Sequence, residues 1–222
     1  MDQPPLLLAA ALIGGYLLGS IPFGVITARL GGAGDLRKVG SGNIGATNVL
    51  RTGRKDLALI TLIGDGGKGA AAVLIARWLT LRLTGDGDIA LLAAVLTGGA
   101  AFLGHLLPLW LKFRGGKGVA TFFGILLAIS WPVGLLAGAT WLLTAFLFRI
   151  SSLAALAASA AAPLYAFAAD HLLPVSDRID PHMPAHLALF MAVLVWLRHL
   201  PNLRRLLKGE EPRIGARKPD PA

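Results

Sequence analysis

The chain has 222 residues, of which 55% are hydrophobic and 15% are charged, and its formal net charge is +9. The mean hydropathy of +0.67 is too high for a water-soluble domain and predicts a polytopic membrane protein. The lysines and arginines fall in short loops between apolar segments, so they indicate membrane orientation and anionic ligands, and no nucleic-acid partner is expected. The absence of cysteine from the sequence excludes disulfides, thiolate catalysis and cysteine-ligated metals.

Seven apolar segments follow one another along the chain, and each is long enough, or nearly long enough, to cross a membrane as a helix. The predicted spans are residues 6–27, 58–79, 89–111, 119–130, 132–148, 153–169 and 185–197. We expect residues 19–24, which contain Pro22, to kink or break the first span. No Lys or Arg precedes that span, so we interpret it as a retained helix rather than a cleaved signal peptide.

The distribution of cations predicts the orientation of these spans. If the N-terminus lies outside, the inner segments are residues 29–55, 112–117, 149 and 198–222, and they carry 17 of the 21 lysines and arginines. Inner loops rich in Lys and Arg are the normal pattern in membrane proteins. The sequence therefore predicts an all-α protein with seven transmembrane helices, an outer N-terminus and a cytoplasmic C-terminus. Residues 1–222 form a single transmembrane domain in this interpretation, with polar cytoplasmic segments at 39–55, 112–121 and 198–215.

The second polar segment, residues 112–121, combines cations with glycines. Glycine lets backbone amides crowd around a ligand, and a run of free N–H groups that opens into a helix binds anions. Arg114 and Lys117 would add full positive charges that favour phosphate. The simpler alternative is a topology signal at a turn between two membrane helices.

The first polar segment carries short hydrogen-bonding side chains at Ser41, Asn43, Thr47 and Asn48, and Arg51 follows them. Glycines between them expose the backbone. A plain flexible loop is the alternative, although flexibility alone does not require these side chains so close together. We therefore interpret the segment as part of a polar binding site.

Two ionisable residues, Asp65 and Lys68, interrupt the second predicted span within the glycine-rich residues 64–69. Charges inside a membrane are costly and are usually functional or paired with each other. The three-residue spacing would let these two neutralise each other on a helix. His105, near the end of the third span, is expected to position the glycine segment rather than to catalyse.

The third polar segment contains His199 and Asn202, which are three residues apart and fall on one helical face at the inner end of the seventh span. There they could meet the first two segments. The alternative is a basic amphipathic tail that lies on anionic lipid. A P-loop is excluded because Gly118, not Ser or Thr, follows Lys117. The three polar segments are therefore interpreted as a pocket on the cytoplasmic face, lined by amides, hydroxyls and cations and bordered by hydrocarbon. Such a pocket suits a substrate with a phosphate head group and a fatty chain.

Three motifs are specific enough to indicate a family: residues 41–48 with Arg51, residues 115–121, and residues 198–211. They resemble the three cytoplasmic motifs of the acyl-phosphate:glycerol-3-phosphate acyltransferases, the PlsY family. Residues 19–24 and 65–69 also look like that family. The resemblance covers residues 6 to 215, with motif order and spacing intact.

The resemblance implies transfer of a fatty acyl group from acyl phosphate to the first hydroxyl of sn-glycerol 3-phosphate. The products would be lysophosphatidic acid and phosphate, at the first step of bacterial phospholipid synthesis. The protein would lie in the bacterial inner membrane with its active site on the cytoplasmic face. A functional link to the enzyme that makes acyl phosphate is expected, and we expect neither a cofactor nor a metal.

The resemblance, together with the reasoning from the residues themselves, gives the expected roles. The expected catalytic residues are Ser41, Arg51, Lys117, His199 and Asn202. The expected substrate-binding or phosphate-binding residues are Gly42, Asn43, Thr47, Asn48, Gly115, Gly116, Gly118 and Ser152. The residues with expected structural roles are Asp65, Lys68, His105 and Glu211.

The chemistry is compatible with these roles, because acyl phosphate is already activated and needs alignment and charge stabilisation more than a covalent nucleophile. Lys117, Arg51 and the glycine amides would hold the phosphates, while Ser41 stabilises the oxyanion. His199 would orient the acceptor or take its proton, helped by Asn202. The substrate phosphate as base, and an acyl-enzyme on Ser41, stay open as alternatives. A small-anion or phospholipid transporter is the alternative function, and a membrane scaffold is a third.

Overall fold

The protein, seen in a computed structural model, is described over residues 4–172 and 182–215. Regular secondary structure in these residues is helical, which confirms the all-α architecture. The helices are α1 (Pro4–Gly19), α2 (Phe23–Leu30), α3 (Ala46–Leu50), α4 (Lys55–Thr84), α5 (Gly87–Leu106), α6 (Val119–Ile129), α7 (Trp131–Phe148), α8 (Ser151–Leu172), α9 (Met183–Arg198) and α10 (Leu200–Leu207). Short 3-10 turns cover Leu36–Lys38 and Leu109–Leu111. Residues 216–222 of the predicted cytoplasmic tail lie outside the described residues.

Within the described residues, five helical segments are long and apolar enough to cross a membrane, and α9 and α10 together would make a sixth with a bend of 62°. The five are Pro5–Leu30, Lys55–Thr84, Gly87–Leu111, Trp131–Phe148 and Ser151–Ala169. Helix α6 is apolar but has only 11 residues, fewer than the roughly 20 that a full crossing requires. The count of seven spans therefore stays a prediction, and the short α6 is the helix on which it depends.

The first span is broken where its sequence predicts a break. Helix α1 ends at Gly19 and α2 begins at Phe23, with Pro22, which lacks an amide hydrogen, between them. The Ser20 hydroxyl in the break donates to Leu17 O at 2.7 Å and accepts from Trp110 Nε1 at 2.8 Å. The break is therefore tied to the segment that follows α5.

Helix α4 runs without interruption for 30 residues, through the polar and glycine-rich stretch that divides its apolar sequence. The glycines there allow close packing rather than ending the helix. A Cβ on Gly64 would lie 2.5 Å from the Phe23 ring, and a Cβ on Gly69 would lie 3.0 Å from Thr121 and Ile125. Helices α2 and α6 therefore approach α4 closely at the point where its buried charges lie.

Helix α5 lies at the centre of the bundle and packs against α1, α4, α6 and α9. In the span Gly87–Leu111, 61% of the most apolar 18-residue stretch is buried. The corresponding share is 17% in the first span and in α7, which are therefore peripheral. Its buried face consists largely of alanine and carries the Phe102 ring in the core. Small residues of this kind let helices approach closely in a membrane, where hydrophobicity alone does not draw helices together.

Many large apolar side chains point away from the bundle. Leu6, Ile63, Trp78, Leu142 and Phe146 are each more than half exposed. A water-soluble domain rarely exposes so much apolar surface, whereas a hydrocarbon solvent requires it. The polar segments between the helices are thus the part of the molecule that can meet a water-soluble substrate.

Candidate active site

The loop between α2 and α4 is organised around the side chain of Asn48, which is 2% exposed. Its Nδ2 donates to the backbone oxygens of Leu36, Val39 and Asn43 at 2.9, 3.0 and 2.7 Å. Two hydrogens shared among three carbonyls hold three stretches of the loop together. The structure thus places Asn48, a predicted binding residue, as the centre of the loop's own hydrogen bonding.

The same asparagine brings Ser41 and Arg51 together. Its Oδ1 accepts from Ser41 N at 3.1 Å, from Ser41 Oγ at 3.4 Å and from Arg51 Nη1 at 3.5 Å. Ser41 stands between Gly40 and Gly42, whose φ angles of +53° and +69° suit glycine and strain other residues. The hydroxyl and the guanidinium are therefore held side by side, and Ser41 itself is exposed.

Two other predicted binding residues lie in this loop. The Asn43 side chain accepts a hydrogen bond from Ile44 N at 2.9 Å, which shapes the turn into α3. Thr47 lies on the exposed side of α3. Thr47 is therefore accessible from outside the loop, while the side-chain oxygen of Asn43 already has a backbone partner.

The glycine loop, residues 115–118, is fixed from both sides. Gly115 N donates to Leu106 O at 3.1 Å, and Gly116 N donates to His105 O at 3.2 Å. On the other side, the Arg198 guanidinium donates to Gly115 O at 2.8 Å and to Gly116 O at 3.1 Å. The predicted row of free amides is therefore wrong for these two glycines, because their N–H groups are used by the end of α5.

Close packing explains why these positions are glycine. A Cβ on Gly115 would lie 2.1 Å from His105 O, and a Cβ on Gly116 would lie 2.2 Å from His105 Nε2. Gly118 has a φ of +84°, and its Cβ would lie 2.4 Å from the Phe102 ring. The glycines let the loop lie directly against α5, and this close approach places Lys117.

Helix α6 begins immediately after this loop. Its first helical hydrogen bond runs from Phe122 N to Gly118 O at 2.7 Å. The N–H groups that precede it, beginning with Val119, belong to the set that a helix leaves without an intrahelical partner. The positive end of the helix dipole lies here, beside the Lys117 ammonium. Anion binding is therefore expected at Lys117 and the first turn of α6 rather than at the two clamped glycines.

A chain of hydrogen bonds connects Lys117 to the third polar segment. Lys117 Nζ donates to Asn202 Oδ1, and Asn202 Nδ2 donates to Glu211 Oε1. The same Glu211 carboxylate accepts from Ser152 Oγ at 2.8 Å and from Arg205 Nε at 2.7 Å. Ser152, a predicted substrate contact, thus donates its hydroxyl hydrogen to Glu211, a predicted structural residue.

The charges around Lys117 place the first loop near the second. Burial lowers the pKa of the Lys117 ammonium to about 8; the Glu211 carboxylate opposes this shift, and the charges of Arg205, Arg51 and Arg198 add to it. Arg51 is therefore close enough for its charge to act on Lys117, and the structure brings the two predicted phosphate ligands into one region. Burial would raise the pKa of Glu211, but its hydrogen bonds from Asn202, Ser152 and Arg205 lower it below its ordinary value.

His199 lies at the bend between α9 and α10 and is 3% exposed. Its Nδ1 is 2.8 Å from Val195 O. A carbonyl oxygen only accepts hydrogen bonds, so we place the proton on Nδ1, which leaves Nε2 with a lone pair. The ring is thereby oriented with a proton acceptor on its other nitrogen.

A second, buried cluster lies beneath the glycine loop. Lys68 Nζ is 2.7 Å from Asp65 Oδ1, so the three-residue spacing does produce an ion pair. The same carboxylate oxygen is 3.5 Å from His105 Nδ1. These residues lie inside the bundle and are separate from the exposed polar groups of the first loop.

Sequence reasoning missed Arg198 as a site residue, although it holds both glycine carbonyls. Its signal in the sequence is its place directly before His199, at the last turn of an apolar helix. Arg205 belongs to the basic tail for which lipid binding is the alternative interpretation, and the structure places its guanidinium on Glu211. Both cations serve buried or half-buried polar groups that no sequence pattern reveals.

An apolar groove of about 320 Å³ runs between α8 and α9. Its lining residues are Ala160, Pro163, Leu189, Ala192, Val193, Trp196 and Leu197. Trp196 and Leu197 belong to the last turn of α9, directly before Arg198 and His199. One end of the groove lining is therefore adjacent in sequence to the third polar segment.

Comparisons with known proteins agree on one family. Residues 9–209 match the family model described as glycerol-3-phosphate acyltransferase. A glycerol-3-phosphate acyltransferase from Caulobacter vibrioides (strain NA1000 / CB15N) is 63% identical over 214 residues, covering 96% of this chain and 91% of the relative. Another, from Rhodospirillum rubrum, is 57% identical over 218 residues, covering 97% and 95%.

Two solved structures share the fold. The crystal structure of PlsY (YgiH), an integral membrane glycerol 3-phosphate acyltransferase, in its glycerol 3-phosphate form has a TM-score of 0.80 and 36% identity, covering 94% of this chain and 96% of that one. Its lysophosphatidic acid form has a TM-score of 0.77 and 34% identity, covering 94% and 95%. At this identity and coverage, the likeness extends through the helices that carry the three polar segments.

Proposed function

The chain belongs to the glycerol-3-phosphate acyltransferase family of integral membrane enzymes, and we propose that it transfers a fatty acyl group from acyl phosphate to the sn-1 hydroxyl of sn-glycerol 3-phosphate. The products are lysophosphatidic acid and inorganic phosphate. The solved relatives support this substrate and product, since one is a glycerol 3-phosphate form and the other a lysophosphatidic acid form.

The observation that carries the proposal is the cluster of cations around Lys117. This lysine is held by Asn202. Arg198 binds the carbonyls of the two glycines that precede it, and the charges of Arg51 and Arg205 also act on it. Both substrates carry phosphate, and a site with several cations in place can bind one phosphate while it stabilises the charge on another. A hydrocarbon-facing bundle beside these cations supplies the surface for the fatty chain.

The reaction needs one bond to form and one to break. The sn-1 oxygen of glycerol 3-phosphate attacks the acyl carbonyl carbon, the bond from that carbon to the phosphate oxygen breaks, and inorganic phosphate leaves. Lys117 and Arg51 bind the phosphates, and Ser41 donates a hydrogen bond to the oxyanion that forms. Transfer is direct in this scheme, without an acyl-enzyme and without a metal. The loop that presents Ser41 is formed with Gly42, Asn43, Thr47 and Asn48. The loop that presents Lys117 is formed with Gly115, Gly116 and Gly118.

The proton of the attacking hydroxyl has two acceptors in this site. One is Nε2 of His199, whose other nitrogen is engaged with Val195 O at 2.8 Å. The other is a phosphate oxygen of the substrate itself, in which case His199 orients glycerol 3-phosphate, the acyl acceptor. A His199→Asn variant separates the two, because an amide can orient through a hydrogen bond and cannot serve as a base near neutral pH.

The membrane arrangement belongs to the proposal. Seven spans, counting the short α6 and the bent pair α9 and α10, give an outer N-terminus and a cytoplasmic C-terminus. The three polar segments then face the cytoplasm of a bacterial inner membrane, where glycerol 3-phosphate is dissolved. Residues 1–222 act as a single domain. The acyl chain stays in the bilayer, with the groove between α8 and α9 as the apolar surface next to the site, and an enzyme that makes acyl phosphate supplies the donor.

The test uses the purified full-length protein in detergent with palmitoyl phosphate and labelled glycerol 3-phosphate. We expect labelled lysophosphatidic acid, and no product when palmitoyl-CoA replaces the acyl phosphate. Product from the CoA ester alone would contradict the donor assignment. Absence of product, together with labelled solute crossing the wall of liposomes that contain the protein, would favour a transporter.

Matched variants tie the activity to the site. Ser41→Ala and Lys117→Met should each lower kcat/KM by at least about a hundredfold, the usual effect of losing one oxyanion or phosphate donor. Tyr165→Phe serves as the control, because it removes a hydrogen bond to Thr140, 2.8 Å long, between α7 and α8. Acyl label trapped on Ser41 in a rapid quench would overturn direct transfer.

A further inference from the structure

Three ionisable side chains inside the helix bundle take no direct part in the proposed chemistry. Asp65, Lys68 and His105 have side chains that are 3%, 1% and 5% exposed. Burying charge is costly unless each group is paired, so such residues are uncommon within membrane helices. The contacts of each of these three lead to a different element of the site.

Lys68 connects α4 to the break in the first span. Its Nζ donates to Asp65 Oδ1 and to the backbone oxygen of Ile21, both at 2.7 Å. Ile21 lies between α1 and α2 and is not within a helix. Its carbonyl accepts from the Lys68 ammonium as well as from Phe23 N, at 3.1 Å, and the break is thereby held against α4.

Asp65 connects α4 to α5 and α6. Its carboxylate is 3.5 Å from His105 Nδ1, near the end of α5. Its backbone oxygen accepts a hydrogen bond from Thr121 Oγ at 2.9 Å, in the first turn of α6. The two helices that flank the glycine loop thus both meet Asp65.

His105 contacts the glycine loop itself. Its backbone oxygen accepts from Gly116 N at 3.2 Å, and its ring packs against the same glycine, where a Cβ would lie 2.2 Å from Nε2. Because Asp65 faces the other side of the ring, the imidazole cannot turn without losing Asp65 or displacing Gly116. Lys117 is the next residue, so a shift of Gly116 moves the proposed phosphate ligand.

We infer that Asp65, Lys68 and His105 form a positioning cluster, which sets the glycine loop so that Lys117 faces the substrate phosphate. His105 transmits the position from the Asp65–Lys68 pair to Gly116. The inference rests on the proposed phosphate-binding role of Lys117. None of the three residues is a catalytic residue, since their contacts are with the loop, with the break in the first span and with one another.

The test compares His105→Leu and His105→Asn with the unmodified full-length protein. Two properties are measured: hydrogen exchange of a peptide that covers residues 112–121, and the KM and kcat for glycerol 3-phosphate. In His105→Leu we expect faster exchange in that peptide and a KM raised by roughly tenfold, with a smaller change in kcat. His105→Asn should show exchange and a KM close to those of the unmodified protein, because its amide nitrogen can reach the Asp65 carboxylate as Nδ1 does.

Tyr165→Phe is the matched control, since it removes a hydrogen bond to Thr140, between α7 and α8 and outside the glycine loop. It should leave both measured properties unchanged. Unchanged loop exchange in His105→Leu, or exchange raised equally in peptides of α7, would overturn the inference, because the first shows no effect on the loop and the second shows general loosening. Unmodified protein that makes no lysophosphatidic acid would reject the proposed function, while the exchange comparison would still decide the positioning.

Discussion

The Lys117 ammonium donates a hydrogen bond to the side-chain oxygen of Asn202, which joins the glycine loop to the first turn of α10. Asn202 in turn donates to Glu211, so a neutral amide stands between the lysine and the carboxylate. A direct ion pair would neutralise the lysine, whereas the amide fixes its position and leaves its charge available to an anion. The position of Lys117 and its charge are thus controlled by different residues.

The first prediction concerns pH. Burial lowers the pKa of Lys117 to about 8. The side chain is therefore positively charged at neutral pH, and this charge is lost as the pH rises through that value. The substrate phosphate is already dianionic there, because its second pKa is about 6. We expect the KM for glycerol 3-phosphate to rise by roughly tenfold per pH unit above that pKa. Steady-state kinetics from about pH 7 to about pH 9 would measure the rise.

Lys117→Arg is the control for this pH effect. A guanidinium stays charged across the range, so its KM should be higher than that of the unmodified protein near neutrality but should not rise with pH. A parallel rise in both proteins would assign the titration to another group.

The second prediction concerns Gly116. An added methyl group would lie 2.2 Å from His105 Nε2, so Gly116→Ala must displace the loop or the imidazole. Since a displacement of about 1 Å near a reacting group costs about a hundredfold, we expect kcat/KM to fall by one to two orders of magnitude. Steady-state kinetics on the purified variant would measure the fall.

Gly67→Ala is the matched change for Gly116→Ala. Nothing lies within 4 Å of its added Cβ, and Gly67 occupies an exposed position within α4. Alanine in a helix interior is favoured over glycine by about 0.5–1 kcal/mol, so this variant should be at least as stable as the unmodified protein and fully active. Equal loss of activity in the two alanine variants would show that packing against His105 is not the cause.

The third prediction concerns Asn48. Asn48→Ala removes the donor shared by three backbone carbonyls and the acceptor that holds Ser41 and Arg51. We expect a loss of stability of about 2 kcal/mol or more, together with lower activity, because buried carbonyls lose their partner. Thermal unfolding in detergent would measure the first effect and kinetics the second. Thr52→Val removes a single local hydrogen bond, Thr52 Oγ to Val49 O, and should show neither effect at that scale.

The fourth prediction concerns the buried ion pair. Lys68→Met leaves the Asp65 carboxylate in the bundle without its cation, which should destabilise the protein by about 3–5 kcal/mol. The double variant Asp65→Asn with Lys68→Met removes both charges and should recover most of that loss. Equilibrium unfolding of the single and double variants measures the difference. A double variant as unstable as the sum of the two single changes would show that the charges do not act as a pair.

The order of the helices could be predicted from the sequence because hydrocarbon demands apolar side chains over a fixed length. The break at Pro22 follows equally directly, since proline removes a donor and fixes φ. The uninterrupted α4 does not follow from its sequence. Glycines at 64–69 weaken an isolated helix. In the folded bundle, the close approach of Phe23 to Gly64 and of Thr121 and Ile125 to Gly69 makes the lack of a side chain useful at those two positions.

The candidate site was predictable in its residue types but less so in their contacts. Lys117 and Arg51 follow from charge in a polar loop. The use of Gly115 and Gly116 amides by the end of α5 could not be predicted, because it depends on how a loop packs on a helix distant in sequence. The role of Ser152 as a donor to Glu211 is of the same kind, since 59 residues separate the two.

The clamped glycine loop also bears on the design of inhibitors. The backbone donors of Gly115 and Gly116 already have carbonyl partners, and their own carbonyls are occupied by Arg198. A compound whose head group seeks these peptide groups would have to displace existing bonds and would gain little affinity. Potency should come instead from a dianionic isostere that reaches the ammonium of Lys117, attached to a tail that remains in the lipid.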